Sequence, residues 1–466
     1  MKKSGFLQLI YQVLIININR ERINNMNIKS KFSILVAIIF SLSLGLTKVG
    51  YSDGHGGGMN VPKIEVTTVL EGLKNPWDMA WTADGSAMFF TENLDGLSVL
   101  MDGKVHKLLG MKGSSGYAQT ANDLFSYGAQ EGMLGVVLDP DFANNRTLYL
   151  YSTSSKYHGD GCKTNFERCD GNIVMKWTVA DDMKSLSNRV DIVKDIQFKP
   201  FESDQPFGGP GAHNGGRIRI GPDGYLWVGT GDRHRGICPQ DNTLICGVVL
   251  RIDGDGNGHG GNKIAEDKRI YTYGHRNVQG IAFRPSDGRA FTAEHGPWHN
   301  DEITMLVNGG NGGWDPAEKR GGRGACPDKY CGYEPNQMDG MDPSQRAAYT
   351  PMSDTRFADL MPPAWQNNGY SQGTGSAAFL TGSNWGIYEG RMVAGIMGIA
   401  FGDTPGGSRI DIMDIADDGL SMKSVIHMPV GMTERFRGLV MGPDNALYIS
   451  TDSGGIYKAT ATAHSH

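Results

Sequence analysis

Long amphipathic patterns of helical period are scarce in this sequence after residue 52, which excludes a helical bundle. It has no apolar run long enough for a comfortable membrane span, which needs about 20 residues. Charge of one sign is also lacking. Lys and Arg number 44 against 50 Asp and Glu, a formal net charge of −6. Without a basic stripe, a nucleic-acid partner is excluded. None of the six cysteines forms a C-x-x-C pair, so a zinc cluster is the weaker reading of them.

What is abundant is glycine, with 66 residues. Glycine reaches positive φ without steric cost and suits many short strands joined by tight turns. A β unit recurs: a short apolar run, a Pro/Asp/Gly turn, then a second apolar run. It reads AWTADGSAMFFTE from Ala80, VVLDPDFANNRTLYLYS from Val136, IRIGPDGYLWVGTGD from Ile218, IAFRPSDGRAFTAEHG from Ile281 and VMGPDNALYISTD from Val440. Such turns between β-rich runs are hairpin signals. Hairpins repeated at wide spacing predict the blades of a propeller. AAFLTG and GRMVAGIMGIAFG supply another candidate blade, so about six are expected, with a β-sandwich pair as the alternative.

Lys29 and Lys31 precede an apolar run from Phe32 to Leu46, followed by small residues near Gly50 and Ser52. This order describes a secretory signal, and Met26 would give it an ordinary length. We therefore expect residues 1–52 to be a targeting segment and 53–466 a single all-β propeller, periplasmic or secreted, with no stable membrane span after cleavage. The cysteines fall as Cys162/Cys169, Cys238/Cys246 and Cys326/Cys331. Three local staples are the simplest of the 15 connectivities that six cysteines allow, and an oxidising compartment permits them.

Four segments carry polar residues that a bare propeller core does not require. In AHNGGRIRIGPDG, His213 sits beside Gly215 and Gly216, a loop position suited to a base that approaches a ligand. In YTYGHRNVQGIAF, His275, Arg276 and Asn277 are three successive hydrogen-bonding side chains. In TAEHGPWHNDEITML, the Gly296–Pro297 turn exposes carbonyls ahead of Asp301 and Glu302, hard oxygen donors of the kind Ca²⁺ accepts. In ERFRGLVMGPDNALY, Arg435 and Arg437 lie two apart on a strand and face one side, a fork for carboxylates or phosphates. Asp253, Asp255, Asn257 and Gly258 imitate the start of an EF-hand loop, but the twelfth position is Ile264, so an ordinary turn is expected.

These segments resemble, in order, the soluble quinoprotein sugar dehydrogenases: the PQQ-dependent glucose, aldose-sugar and sorbosone dehydrogenase family. The strings are GLKNPWDMAW, QEGMLGVVLDPDF, HNGGRIRIGPDGYLWVGTGD, VVLRIDGDG, GHRNVQGIAF, EHGPWHNDEI and RFRGLVMGPDNALY, from about Gly72 to Tyr457. The resemblance implies a six-bladed propeller that oxidises an aldose to its lactone with PQQ and Ca²⁺. It implies His213 as general base and Arg276 and Asn277 at the quinone carbonyls. Gln130 and Asp232 would line the same pocket. Gly296 and Pro297 would be backbone ligands of Ca²⁺, and Arg435 and Arg437 would bind cofactor carboxylates. A small sugar and an unidentified electron acceptor would be the partners. The sequence departs from the family pattern at Met397, where a Lys is expected, with Arg391 nearby; at Ala212; and in the cysteine-bearing loops. Two other readings are a Ca²⁺-dependent hydrolase of lactonase type and a propeller that only binds.

Overall fold

Each hairpin picked out above forms the two inner strands of a four-stranded antiparallel sheet. There are six such sheets in the computed structural model, which describes residues 61–462 except 115, 117–120, 129, 158–169, 201–202, 205–207, 327–328, 334–340 and 399–406. The leader and the Cys162/Cys169 pair lie outside the described residues.

The inner strands are Pro76–Trp81, Met133–Leu138, Ile218–Ile220, Val278–Phe283, Thr374–Phe379 and Phe436–Met441. Each touches the next and the last touches the first, so the sheets form a closed ring of blades. The fifth blade draws on AAFLTG and on the start of GRMVAGIMGIAFG, with strands Thr374–Phe379 and Met392–Ile396; residues 399–402 of the second string lie outside the described residues. Blade six is composite. Its outer strand is Lys63–Leu70, from the start of the propeller, paired antiparallel with Ile456–Thr462 from its end.

A blade sandwiched between two others buries both faces, so its central strands read as continuous apolar runs. All six residues of the strand Ala87–Glu92 are buried, whereas the outer strand Met422–His427 is largely exposed. The apolar residues gather between neighbouring blades. Phe89, Leu97 and Val99 of blade one pack with Leu148, Leu150 and Ile173 of blade two. Ala378, Val393 and Ile412 of blade five pack with Leu439, Leu447 and Ile449 of blade six.

Towards the axis the inner strands converge until only glycine fits at some positions. A Cβ on Gly280 would lie 3.0 Å from the Gly375 carbonyl oxygen, and one on Gly438 only 2.7 Å from that of Trp77. Gly438→Val is therefore expected to destabilise the fold by about 1–3 kcal/mol through overpacking. Urea unfolding would show it as a lower midpoint at unchanged slope, and an unmoved midpoint would contradict the close approach.

Among the described residues two staples are present, Cys238–Cys246 and Cys326–Cys331, with Cα separations of 5.7 and 5.5 Å. Both tie loops rather than blades. Among the described residues, no helix is long and apolar enough to cross a membrane.

Candidate active site

Antiparallel pairing puts the start of each inner strand beside the end of the second strand, so the flanking loops of successive blades meet at one mouth of the ring. His213 precedes the inner strand of blade three, and Asp232 and His234 follow its second strand, Leu226–Gly229. Arg276 and Asn277 precede the inner strand of blade four, and Gly296 and Pro297 follow its second strand, Ala290–Glu294. Arg435 and Arg437 begin the inner strand of blade six.

His213 is buried and holds a left-handed backbone, φ 58°. The chain then passes through Gly215, where a Cβ would lie 2.5 Å from the Gly229 carbonyl oxygen. Its imidazole Nδ1 sits 2.6 Å from Asp232 Oδ1, and its amide donates to Gln130 Oε1 at 3.2 Å. Asp232 is fully buried. Its Oδ2 accepts from Tyr330 Oη and Trp314 Nε1, both at 2.7 Å, and its Oδ1 from the His234 amide at 2.9 Å. Asp232 thus orients the His213 imidazole rather than facing open space. Burial, reinforced by the Arg276, Lys199 and His295 charges, holds the His213 imidazolium well below its ordinary range.

Arg276 bridges the loops. Nη1 donates to the His295 carbonyl at 2.9 Å and Nη2 to Tyr333 Oη at 2.8 Å. Glu294 Oε2 accepts from the amides of Arg276 and Asn277, at 3.0 and 3.2 Å, and Glu294 Oε1 pairs with His275 Nδ1 at 2.5 Å. His275 therefore serves as a loop brace. Asn277 Oδ1 accepts from the Gly215 amide at 2.9 Å, which locks the His213 loop to blade four.

Arg435 and Arg437 do face one side, and they share Asp452: Arg435 Nε is 3.0 Å from Oδ2 and Arg437 Nε 2.8 Å from Oδ1. Although burial opposes it, the two guanidinium groups hold Asp452 below the usual carboxylate range. Arg437 also donates to Gln279 Oε1 at 3.0 Å, and Arg435 Nη1 to the Met397 carbonyl at 3.1 Å. Met397 is buried against the same cluster, with its sulfur 4.0 Å from Arg435 Nη2. Arg391 is elsewhere, paired with Asp414 at 3.3 Å.

In the Gly296–Pro297 turn the side-chain oxygens are committed. Asp301 Oδ1 accepts from the Gly296 amide, and Oδ2 from the Gln372 and Thr374 amides and the Thr374 hydroxyl, all at 2.9–3.0 Å. Glu302 is bonded by Ser353 and Gln366, and burial pushes its carboxyl up to about 8. These acids brace the turn, and the Gly296 carbonyl accepts from the Trp298 amide at 3.0 Å. The Asp253 segment is an ordinary turn, in which Asp253 Oδ1 accepts from the Asp255 and Asn257 amides at 2.9 Å.

Sequence reasoning missed Lys199, His234, Trp314, Tyr330, Tyr333 and Asp452. Trp314, Tyr330 and Tyr333 lie in the long loop between residues 311 and 363, whose length was the only signal.

The glucose/sorbosone dehydrogenase family matches residues 73–458, nearly the whole described chain. The chain belongs to that family. Relatives of this glucose/sorbosone dehydrogenase homologue include the aldose sugar dehydrogenase YliI of Escherichia coli, 28% identical over 255 residues, 54% of this chain and 62% of that protein. Another is quinoprotein glucose dehydrogenase B of Acinetobacter calcoaceticus, 26% identical over 318 residues, 62% of this chain and 60% of that protein. The chain thus spans about three-fifths of these curated relatives. The fold matches the soluble aldose sugar dehydrogenase of E. coli with a TM-score of 0.63 at 22% identity, over 86% of this chain and 100% of that one. It matches the PQQ-bound aldose sugar dehydrogenase of Streptomyces coelicolor with a TM-score of 0.59 at 21% identity, over 86% and 98%.

Proposed function

We propose that this protein is a PQQ- and Ca²⁺-dependent aldose dehydrogenase of the periplasm or the secreted fraction, oxidising the anomeric carbon of a sugar to the lactone with His213 as base. The observation that carries this reading is His213 itself: a buried imidazole, fixed at Nδ1 by Asp232 and facing the Arg276 charge at the mouth of the propeller.

The residues suit the cofactor chemically. PQQ is an anionic tricarboxylate, and Arg276, Arg435 and Arg437 supply three guanidinium groups. Arg276 Nε and His295 Nε2 are buried polar atoms without a hydrogen-bond partner among the described residues, as a site awaiting acceptor oxygens would have. Met397 replaces one cation, while Arg435 sets its own charge against the Met397 carbonyl. Gly296 and Pro297 would hold Ca²⁺ through carbonyl oxygens, completed by oxygens from the cofactor. When bound, the pair would supply an electrophilic quinone that accepts the hydride and a Lewis acid beside it. The protein's share is placement and proton chemistry. Asp232 keeps the His213 proton on Nδ1, so Nε2 is the basic nitrogen. Arg276, fixed by His295 and Tyr333, brings positive charge to where oxyanion charge develops. Gln130, exposed at the surface, holds the His213 amide through Oε1.

The purified protein, supplied with PQQ and Ca²⁺, is expected to reduce an artificial electron-acceptor dye when given one or more aldoses. Absence of both PQQ binding and sugar-dependent reduction across an aldose panel would refute the reading. Among the described residues, no group of three or more His, Cys, Asp or Glu side chains is placed to hold a metal, as the hydrolase alternative requires.

A further inference from the structure

The hydrogen bonds at Asp232 divide between its two oxygens. Oδ1 takes the His213 imidazole at 2.6 Å and the His234 amide at 2.9 Å. Oδ2 takes Tyr330 Oη and Trp314 Nε1, both at 2.7 Å. A carboxylate offers about four lone-pair positions, and donors meet all of them. The Oδ1 partners belong to blade three. The Oδ2 partners come from the long loop between the third and fourth strands of blade four, Glu302–Met305 and Pro363–Gln366. Asp232, Trp314 and Tyr330 are fully buried. The loop is built to hold both donors there. Tyr330 bridges to Ala317 through its backbone, the Cys331 amide donates to the Pro316 carbonyl at 2.6 Å, and the Cys326–Cys331 staple closes the turn. A Cβ on Gly332 would lie 2.5 Å from the Tyr330 ring and 2.9 Å from the Trp314 ring, so only glycine lets the two rings pack together.

We propose that Tyr330 and Trp314 are positioning residues that set the proton affinity of His213 through Asp232. The inference rests on the reading of His213 as the base. Neither side chain needs to reach the substrate for this. The negative charge of one carboxylate is shared among its donors. What the tyrosine hydroxyl and the indole draw to Oδ2 is not available at Oδ1 to steady an imidazolium. The two donors therefore keep His213 neutral, as a base must be before it takes a proton. With either donor removed, Oδ1 becomes the stronger acceptor and the imidazolium gains stability.

The surroundings suit this role. Burial and the Asp232 charge push the Tyr330 hydroxyl well above its ordinary range, against Arg276, so it remains a donor. An indole N–H can only donate. The other charged or titratable groups facing His213 and Asp232 are Arg276, His295, Lys199, Tyr333 and His234. The His234 ring packs edge-on against His213, with centres 3.8 Å apart. Burial and the Arg276, Lys199 and His295 charges oppose an imidazolium at His213. Tyr330 and Trp314 add to that opposition from the far side of the carboxylate.

The deciding measurement needs no cofactor. In the nitrogen-15 spectrum of the protein without PQQ, the His213 imidazolium of Tyr330→Phe is expected to form at higher pH than that of wild type. Trp314→Phe, which removes the other donor from the same oxygen, should move it in the same direction. In the loaded enzyme, the acid limb of kcat should move up with the spectrum. On the plateau, kcat should stay within about threefold and KM within about twofold of wild type. Rings that only fill space would lower the urea midpoint when changed and leave the titration where it was. A Tyr330→Phe spectrum that follows wild type across the folded pH range would overturn the proposal. If Trp314→Phe fails to fold, Tyr330→Phe, which loses a single oxygen, decides alone. If no aldose drives dye reduction in the loaded wild type, the functional reading fails while the spectrum still decides what the two donors do to His213.

Discussion

His213→Ala is expected to lose about 10²- to 10⁴-fold in kcat, the usual contribution of a positioned general base, while still binding PQQ. The reason for the split lies in the neighbours. His213 is held by Asp232 on one side and by the Gln130 carbonyl through its backbone on the other. The cations suited to the cofactor, Arg276, Arg435 and Arg437, take their own positions from His295, Tyr333, Asp452, Gln279 and Met397. Removing the imidazole leaves those contacts in place. Dye reduction measures the first effect and a PQQ titration the second. Unchanged turnover would remove His213 from the chemistry, and loss of PQQ binding would show that the two networks are one.

The largest expected effect on stability lies on the axis. Asp78 is fully buried, with Arg217 at 2.8 Å and Arg219 at 2.7 Å. Arg217 also donates to the Gln279 and Arg437 carbonyls, at 2.8 and 3.1 Å, and its guanidinium lies 3.9 Å from the centre of the Trp77 ring. One side chain thus touches blades one, four and six from its place on blade three. Burial works against the Arg217 charge, and Asp78 counters it. Asp78→Ala would leave a buried cation with its counter-charge gone, which costs about 3–5 kcal/mol when one partner of a buried pair is removed. Urea unfolding would report it. A loss under about 1 kcal/mol, typical of an exposed pair, would mean that water reaches the axis.

The architecture was legible because it is written in local chemistry. Each Asp-Gly or Pro-Asp turn between apolar runs became an inner hairpin, and the number of hairpins set the number of blades. The two cysteine staples that can be described follow the nearest-neighbour pairing. The site was legible only in part. His213, Arg276 and Asn277 stand beside strand-forming strings and are visible in a linear reading. Lys199, Trp314 and Tyr333 are not, because they reach the mouth through long loops whose path depends on contacts far apart in sequence. Arg435 and Arg437 were read as free to take a ligand's carboxylate. Their internal partner, Asp452, comes from the adjoining strand end and has no local signature. Asp301 and Glu302 illustrate the opposite error: acids beside a turn suggested metal donors, and packing used them as struts.

The composite sixth blade makes the propeller a clasp whose two halves are the first and last strands of the ring. The strand Lys63–Leu70 is made before the rest of the ring, and its partner, Ile456–Thr462, after it. Until Ile456–Thr462 has been made, blade six lacks the strand that joins Lys63–Leu70 to the rest of its sheet. Arg435 and Arg437 sit at the inner edge of the same blade, three strands from Lys63–Leu70. A product truncated before Ile456 would leave Lys63–Leu70 without its antiparallel partner and blade six unfinished.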